Sequence, residues 1–212
     1  MSDFAAARRN MVDGQIRTAD VTDLRIIGAM LDLPRERFAD PKLAYLDIDI
    51  VLAPGRRMLK PMVLAKMAQA AGIEGADRVL DLACATGYST ALLAQLGSEV
   101  IGLEDDAALA RAASQNLAGQ PNARIVTGSL TDGWPAAAPY NVIVVNGAVE
   151  FVPKSLFGQL ADGGRLVCIQ GLGPATSAML YLRTGDDIGS RPLFDATAAA
   201  LAGFVKPPAF VF

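Results

Sequence analysis

The chain reads as an α/β protein built on a mostly parallel sheet with helices on both faces. Two observations predict this. From residue 78 onward, short apolar runs alternate with stretches of helical periodicity, the pattern of strands joined by crossover helices. Runs such as Asn141-Val142-Ile143-Val144-Val145 carry no polar alternation, so both of their faces should be covered.

The elements follow in order. Residues 5 to 33 predict two helices: Leu24, Ile27, Met30 and Leu31 recur at helical spacing, Asp20 and Asp23 stand where caps belong, and Pro34 ends the segment. Residues 34–60 read as irregular, punctuated by Pro41, Pro54 and Gly55. Pro61 suits the first turn of a helix over 61–72. Strands are then expected at 78–82, 99–103, 123–126, 140–145 and 164–169, and helices at 88–96, 106–118 and 154–161. Two further strands, at 178–183 and 204–212, predict a C-terminal antiparallel hairpin and bring the sheet to seven strands. Ala196 to Ala202 reads as an alanine-rich helix or turn. We expect residues 1–75 to form a helical cap packed on a core of 76–212, together one compact unit.

Composition narrows the function. A chain of 212 residues, 52% hydrophobic, can bury a substantial core. No run approaches the roughly 18 apolar residues of a spanning helix. The opening residues lack the charge-then-apolar order of a secretory signal, so no membrane role and a cytoplasmic location are expected. A net charge of −3 gives no general attraction to nucleic acid. With no histidine, His-based triads and His-ligated metal sites are excluded, and no metal is expected. Cys84 and Cys168 fall in or beside strands and read as two small buried thiols.

The segment Asp81-Leu82-Ala83-Cys84-Ala85-Thr86-Gly87-Tyr88 joins the first core strand to a helix. Ligands in open α/β sheets sit at this end of the strands. The small residues Ala83, Ala85 and Gly87 would let the backbone approach a ligand, and the helix starting near Tyr88 directs free N–H groups toward it. A pyrophosphate-binding turn would read G-x-G-x-x-G, which this does not. Asp81 suits a cationic group. Glu104, ending the next strand, is placed to accept from ribose hydroxyls, with Asp105 and Asp106 as neighbours able to do the same. The order of acid, small-residue loop and second acid points to a nucleoside ligand.

The whole chain resembles the protein-L-isoaspartate O-methyltransferase family. The likeness is carried by Met11-Val12-Asp13-Gly14-Gln15-Ile16-Arg17, Pro34-Arg35-Glu36-Arg37-Phe38, Ala44-Tyr45-Leu46-Asp47, Asp77-Arg78-Val79-Leu80-Asp81, Ala85-Thr86-Gly87-Tyr88, Gly133-Trp134-Pro135, Ala138-Pro139-Tyr140-Asn141 and Gly163-Gly164-Arg165-Leu166-Val167, in family order. It implies a Rossmann-like methyltransferase sheet, S-adenosylmethionine as cofactor, and an isoaspartyl carboxylate of a damaged protein or peptide as methyl acceptor. It further implies Asp81, Ala83, Cys84, Ala85, Gly87 and Tyr88 around the methionine part, Glu104 and Asp105 at the ribose, Ser129 and Leu130 beside the adenine, and Asn146 with Gly147 at the end of the fourth core strand.

Three segments depart from the family pattern. Where members read G-x-T-I-S-x-P, this chain has Gly55-Arg56-Arg57-Met58-Leu59-Lys60-Pro61. Leu59 stands at the position of a serine near the reacting centre and offers no hydrogen bond. Arg57 replaces the threonine, and we expect it to contact an acceptor carboxylate. Ala83 and Ala85 replace two glycines, at little cost if their φ is negative. Ser129-Leu130 replaces Asp-Gly. Three readings follow: an isoaspartyl methyltransferase of reduced activity, a methyltransferase with another acceptor, or a non-catalytic protein that binds cofactor or a partner on the same fold.

Overall fold

The computed structural model describes residues 3–173 and 175–206. Its centre is a seven-stranded sheet, and the segments that build it begin after a helical N-terminal region. Helix α1 (Phe4–Met11) is capped by Asp3, whose carboxylate accepts from the Ala6 N–H. It runs on through a wider turn at Val12–Ile16 and a tighter one at Arg17–Ala19. Asp20, at φ +62°, ends this helical run, and Asp23 caps helix α2 (Leu24–Asp32) through the Arg25 N–H.

The stretch expected to be irregular contains a hairpin. Strand β1 (Ile50–Ala53) pairs antiparallel with β2 (Arg56–Met58) across Pro54 and Gly55. The sequence hid it because β2 is three residues long, two of them arginine, and the ladder slips between Val51 and Ala53. Gly55 turns the tip at φ +70°. Helix α3 (Pro61–Ala71) then opens on proline, whose missing N–H would have had no helical partner.

The core follows the expected alternation: β3 (Arg78–Leu82), α4 (Tyr88–Ala94), β4 (Glu99–Glu104), α5 (Ala107–Asn116), β5 (Ala123–Thr127), β6 (Tyr140–Val149), α6 (Lys154–Phe157) and β7 (Leu160–Gln170). The expected helix over 154–161 is one short turn, because β7 starts earlier than its apolar run suggests. Strand β8 (Ser177–Thr184) pairs antiparallel with β7, and β9 (Asp187–Asp195) with β8.

The last strand therefore lies at 187–195 and not at 204–212. Gly189 and Pro192 interrupt the strand pattern of that segment, yet an edge strand tolerates a proline, and the β8–β9 ladder shifts beside it, between Ala178 and Met179. Of the expected strand, residues 207–212 lie outside those described, and Phe204 to Lys206 are not in a strand. Phe204 is fully buried instead. Residues 196–202 form an extended loop with a bridge from Ala200 to Ala148, not a helix, and Leu201 packs so closely on Gly147 that a Cβ there would lie 2.5 Å from it.

Strand order is β5-β4-β3-β6-β7-β8-β9. The order reverses between β3 and β6, both parallel to their neighbours, which opens a crevice at their carboxyl ends. One buried cluster joins the cap to this sheet: Met11, Ile16, Ile27 and Met30 share it with Leu64, Val79, Tyr88, Leu92 and Val144. A second, with Leu80, Leu103, Ile143 and Leu166, fills the opposite face. Both cysteines are free and buried.

Candidate active site

The crevice is shaped by the loop between β3 and α4. Ala83 has φ +58°, Ala85 φ +50° and Gly87 φ +90°. The condition for low cost, negative φ at the two alanines, is thus not met. Each L-residue held in this left-handed region costs about 1–2 kcal/mol. The conformation persists because its backbone is tied down: Cys84 N–H donates to Leu103 O (3.2 Å), Gly87 N–H to Cys84 O (2.8 Å) and Ala85 N–H to Glu104 Oε2 (2.8 Å). Thr86 Oγ1 binds Phe38 O at 2.7 Å, fixing the loop to the cap.

Asp81 does not face the crevice. It is fully buried and accepts from Ser89 Oγ (2.7 Å), Thr90 Oγ1 (2.6 Å) and Asn146 Nδ2 (2.6 Å). Burial pushes its carboxyl up to about 6, against the pull of those three donors. Its role is to hold α4 and Asn146 in place, which corrects the expectation of direct contact with a cationic group. Asn146 also donates to Leu82 O (3.1 Å) while lining the crevice. Cys84 lines it too, as a thiol whose pKa burial raises well above the ordinary value.

Glu104 is buried at the end of β4, and both of its oxygens accept hydrogen bonds. Oε1 accepts from Arg56 Nε (2.9 Å) and from the N–H groups of Asp105 (3.0 Å) and Asp106 (3.2 Å). Burial raises the carboxyl, while the Arg56 guanidinium pulls against that rise. Arg56 Nη2 also reaches Asp105 Oδ1. In the sequence Arg56 stands only beside Arg57, in the segment that departs from the family pattern; that its side chain turns inward is a tertiary fact with no local signal. Asp106 is a helix cap, accepting from the N–H groups of Ala108 (2.8 Å) and Leu109 (3.0 Å), and is not free for a ribose.

Tyr88 is 1% exposed, stacked under the Arg35 guanidinium and edge-on to Phe38, and its hydroxyl has no partner among the described residues. Leu130 is buried in the second cluster and presents no free face to an adenine, contrary to expectation. Ser129 is exposed, its Oγ 3.1 Å from Thr131 Oγ1. Leu59 is buried, its carbonyl accepting from Arg35 Nη2 at 2.7 Å. Arg57 is exposed and borders a surface cavity of about 270 Å³ shared with Asp49 and Thr197 to Ala199.

The structure brings Arg57, Leu59, Ala83, Cys84, Ala85, Tyr88 and Asn146 together around one cavity of only about 10 Å³. In kind, the donor set fits an adenosyl group: an acid at the end of β4 and a left-handed loop whose backbone faces the crevice. In volume, the cavity falls far below the several hundred cubic ångströms of an ordinary small-ligand pocket.

Comparison with known proteins agrees with this architecture. The family described as Protein-L-isoaspartate(D-aspartate) O-methyltransferase (PCMT) matches residues 6–188. A relative from Rhodopseudomonas palustris, strain HaA2, named Protein-L-isoaspartate O-methyltransferase 1, is 37% identical over 207 residues, covering 94% of this chain and 84% of its own. A solved protein-L-isoaspartate O-methyltransferase superposes with a TM-score of 0.81 at 24% identity, over 92% of this chain and 66% of that one. A Plasmodium falciparum protein assigned to the same enzyme class, solved with S-adenosyl-L-homocysteine, gives 0.79 at 18% identity, over 95% of this chain and 99% of that one. The match along most of its length and the close relative together place the chain in the protein-L-isoaspartate(D-aspartate) O-methyltransferase family.

Proposed function

We propose that the protein binds S-adenosylmethionine in the crevice above β3, β4 and β6 and methylates the carboxylate of isoaspartyl residues in proteins or peptides, at a reduced rate. One observation carries the reading. The loop keeps three left-handed residues even though two of them are alanine. Strain of this kind persists where the backbone shape itself is used.

When bound, the cofactor supplies an electrophilic methyl group on a cationic sulfur. Ala83, Ala85 and Gly87 shape the backbone against its methionine part, Asn146 borders that part, Glu104 and Asp105 take the ribose, and Ser129 marks the adenine side. The acceptor carboxylate is already ionised at neutral pH, so no general base is needed. The work of the chain is then positioning and electrostatics. Arg57, exposed beside the 270 Å³ cavity, is placed to hold the acceptor carboxylate by charge-assisted hydrogen bonds. Cytoplasmic residence belongs to the same reading and is supported by the two free thiols.

Calorimetric titration with S-adenosylmethionine, followed by addition of an isoaspartyl peptide and measurement of methyl ester, tests this. Binding with ester formation is the expected result. Binding without ester would favour a second reading, another acceptor, which the buried and donor-less Leu59 side chain already supports.

A further inference from the structure

We propose that Arg56 is a built-in competitor for the ribose of the cofactor, and that the β1–β2 hairpin must withdraw it from Glu104 before the site can fill. The inference rests on the reading that S-adenosylmethionine binds here.

The first argument is a count of donors. An ionised carboxylate offers about four lone-pair sites. Glu104 receives Arg56 Nε and the N–H groups of Asp105 and Asp106 on Oε1, and the N–H of Ala85 on Oε2. The three backbone donors belong to the loop and the end of β4, which define the site. Arg56 is the one donor of the four that can leave without dismantling it. With Arg56 withdrawn, Oε1 keeps two backbone donors and Oε2 one, so a ribose hydroxyl takes the open site on Oε2 and the ribose takes the space of the guanidinium.

The second argument is space. The Arg56 side chain is only 7% exposed, and the cavity beside the loop, bordered by its hairpin neighbours Arg57 and Met58, is about 10 Å³. A nucleoside cannot enter while the guanidinium lies across Glu104 and Asp105.

The third is reversibility. A buried ion pair contributes little net stability because desolvating both ions offsets most of their attraction. Arg56 sits next to the hairpin tip, donating back to Gly55 O at 3.1 Å, and the pairing of β1 with β2 is irregular at that end. Moving the tip returns the guanidinium to water while Glu104 keeps three backbone donors and gains a ribose hydroxyl. The ion pair therefore lowers cofactor affinity without abolishing it.

The test compares the intact wild-type chain with Arg56→Gln by calorimetric titration with S-adenosylmethionine. The expected result is binding at least tenfold tighter in Arg56→Gln. In parallel, the wild-type Arg56 Nε–H nuclear magnetic resonance signal, protected from solvent exchange in the free protein, is expected to lose that protection at saturating cofactor. Equal affinities in the two proteins would overturn the proposal and leave the cofactor reading intact. Failure of both proteins to bind would overturn the two together. Should Arg56→Gln not fold, the wild-type signal decides alone: persistence of its protection at saturation overturns the proposal.

Discussion

The guanidinium of Arg35 lies over the ring of Tyr88, 4.5 Å from its centroid, and among the described residues no carboxylate binds it. Its hydrogen bonds go instead to two carbonyl oxygens, Ala44 O and Leu59 O, each at 2.7 Å. Arg35 is fully buried, so these contacts pin the cap, the lip and the start of α4 to one point. Arg35→Met would keep the volume but leave two buried carbonyls without donors and remove a desolvated cation–π contact. Relief of the unpaired Nη1 offsets part of the loss. The expected cost is about 2–4 kcal/mol in urea unfolding. A cost below about 1 kcal/mol would show that desolvating the charge cancels what its contacts return.

Ala83 and Ala85 supply a prediction of opposite sign. Glycine at either position removes a left-handed strain of about 1–2 kcal/mol and adds back about 0.5–1 kcal/mol of unfolded-state entropy. Each of Ala83→Gly and Ala85→Gly should therefore stabilise by about 0.5–1 kcal/mol, or roughly 1–4 °C in Tm for a chain of this size. Removing a β-carbon beside the crevice should also tighten cofactor binding. A fall in Tm would mean that these residues do not hold positive φ in solution.

Asp81 makes stability depend on pH. Its carboxyl is raised from 3.8 in the unfolded chain to about 6 in the native one, chiefly by burial. The native state thus holds its proton longer, and this contribution to stability is complete below about pH 4 and lost as pH rises through about 6. Between pH 5 and 7.5 the loss from Asp81 alone is roughly 1–2 kcal/mol. Chemical unfolding at both pH values should show wild type losing that much more than Asp81→Asn. Identical pH dependence would remove Asp81 as its source.

How much of this was legible in the sequence depended on how local each cause is. The limits of β3 matched because Val79, Leu80 and Leu82 make a short apolar run that ends at small residues. Pro61 and Asp23 marked helix starts because capping is a matter of adjacent residues. Gly102 sits mid-strand because a Cβ there would lie 2.5 Å from Ile125 and 2.7 Å from Thr90, a packing reason invisible in one dimension. The site was legible as a set of positions and misread in its directions. Asp81 and Asp106 turn toward helix N-termini, and Leu130 turns into the core. The inward turn of Arg56 depends on an acid 48 residues away, which no pattern in the lip reveals.

Leu59 tests the catalytic half of the reading. It lines the small cavity next to Arg57, Ala83 and Asn146 and places a side chain without donors where the family resemblance implies a serine hydroxyl. Loss of one preorganised donor costs about 2–4 kcal/mol of transition-state stabilisation in other sites, or roughly 30- to 1,000-fold in rate. Leu59→Ser should return part of this, raising kcat for an isoaspartyl peptide at least tenfold with the cofactor Kd little changed. Since Leu59 is 3% exposed, the same change should destabilise the fold by about 2–4 kcal/mol, and assays belong well below the variant's Tm. Arg57→Ala, on the exposed side of the same lip, should raise KM for the peptide and leave stability within about 0.5 kcal/mol. If Leu59→Ser binds cofactor and gains no rate, the hydroxyl is not what limits this chain, and another acceptor becomes the reading to pursue.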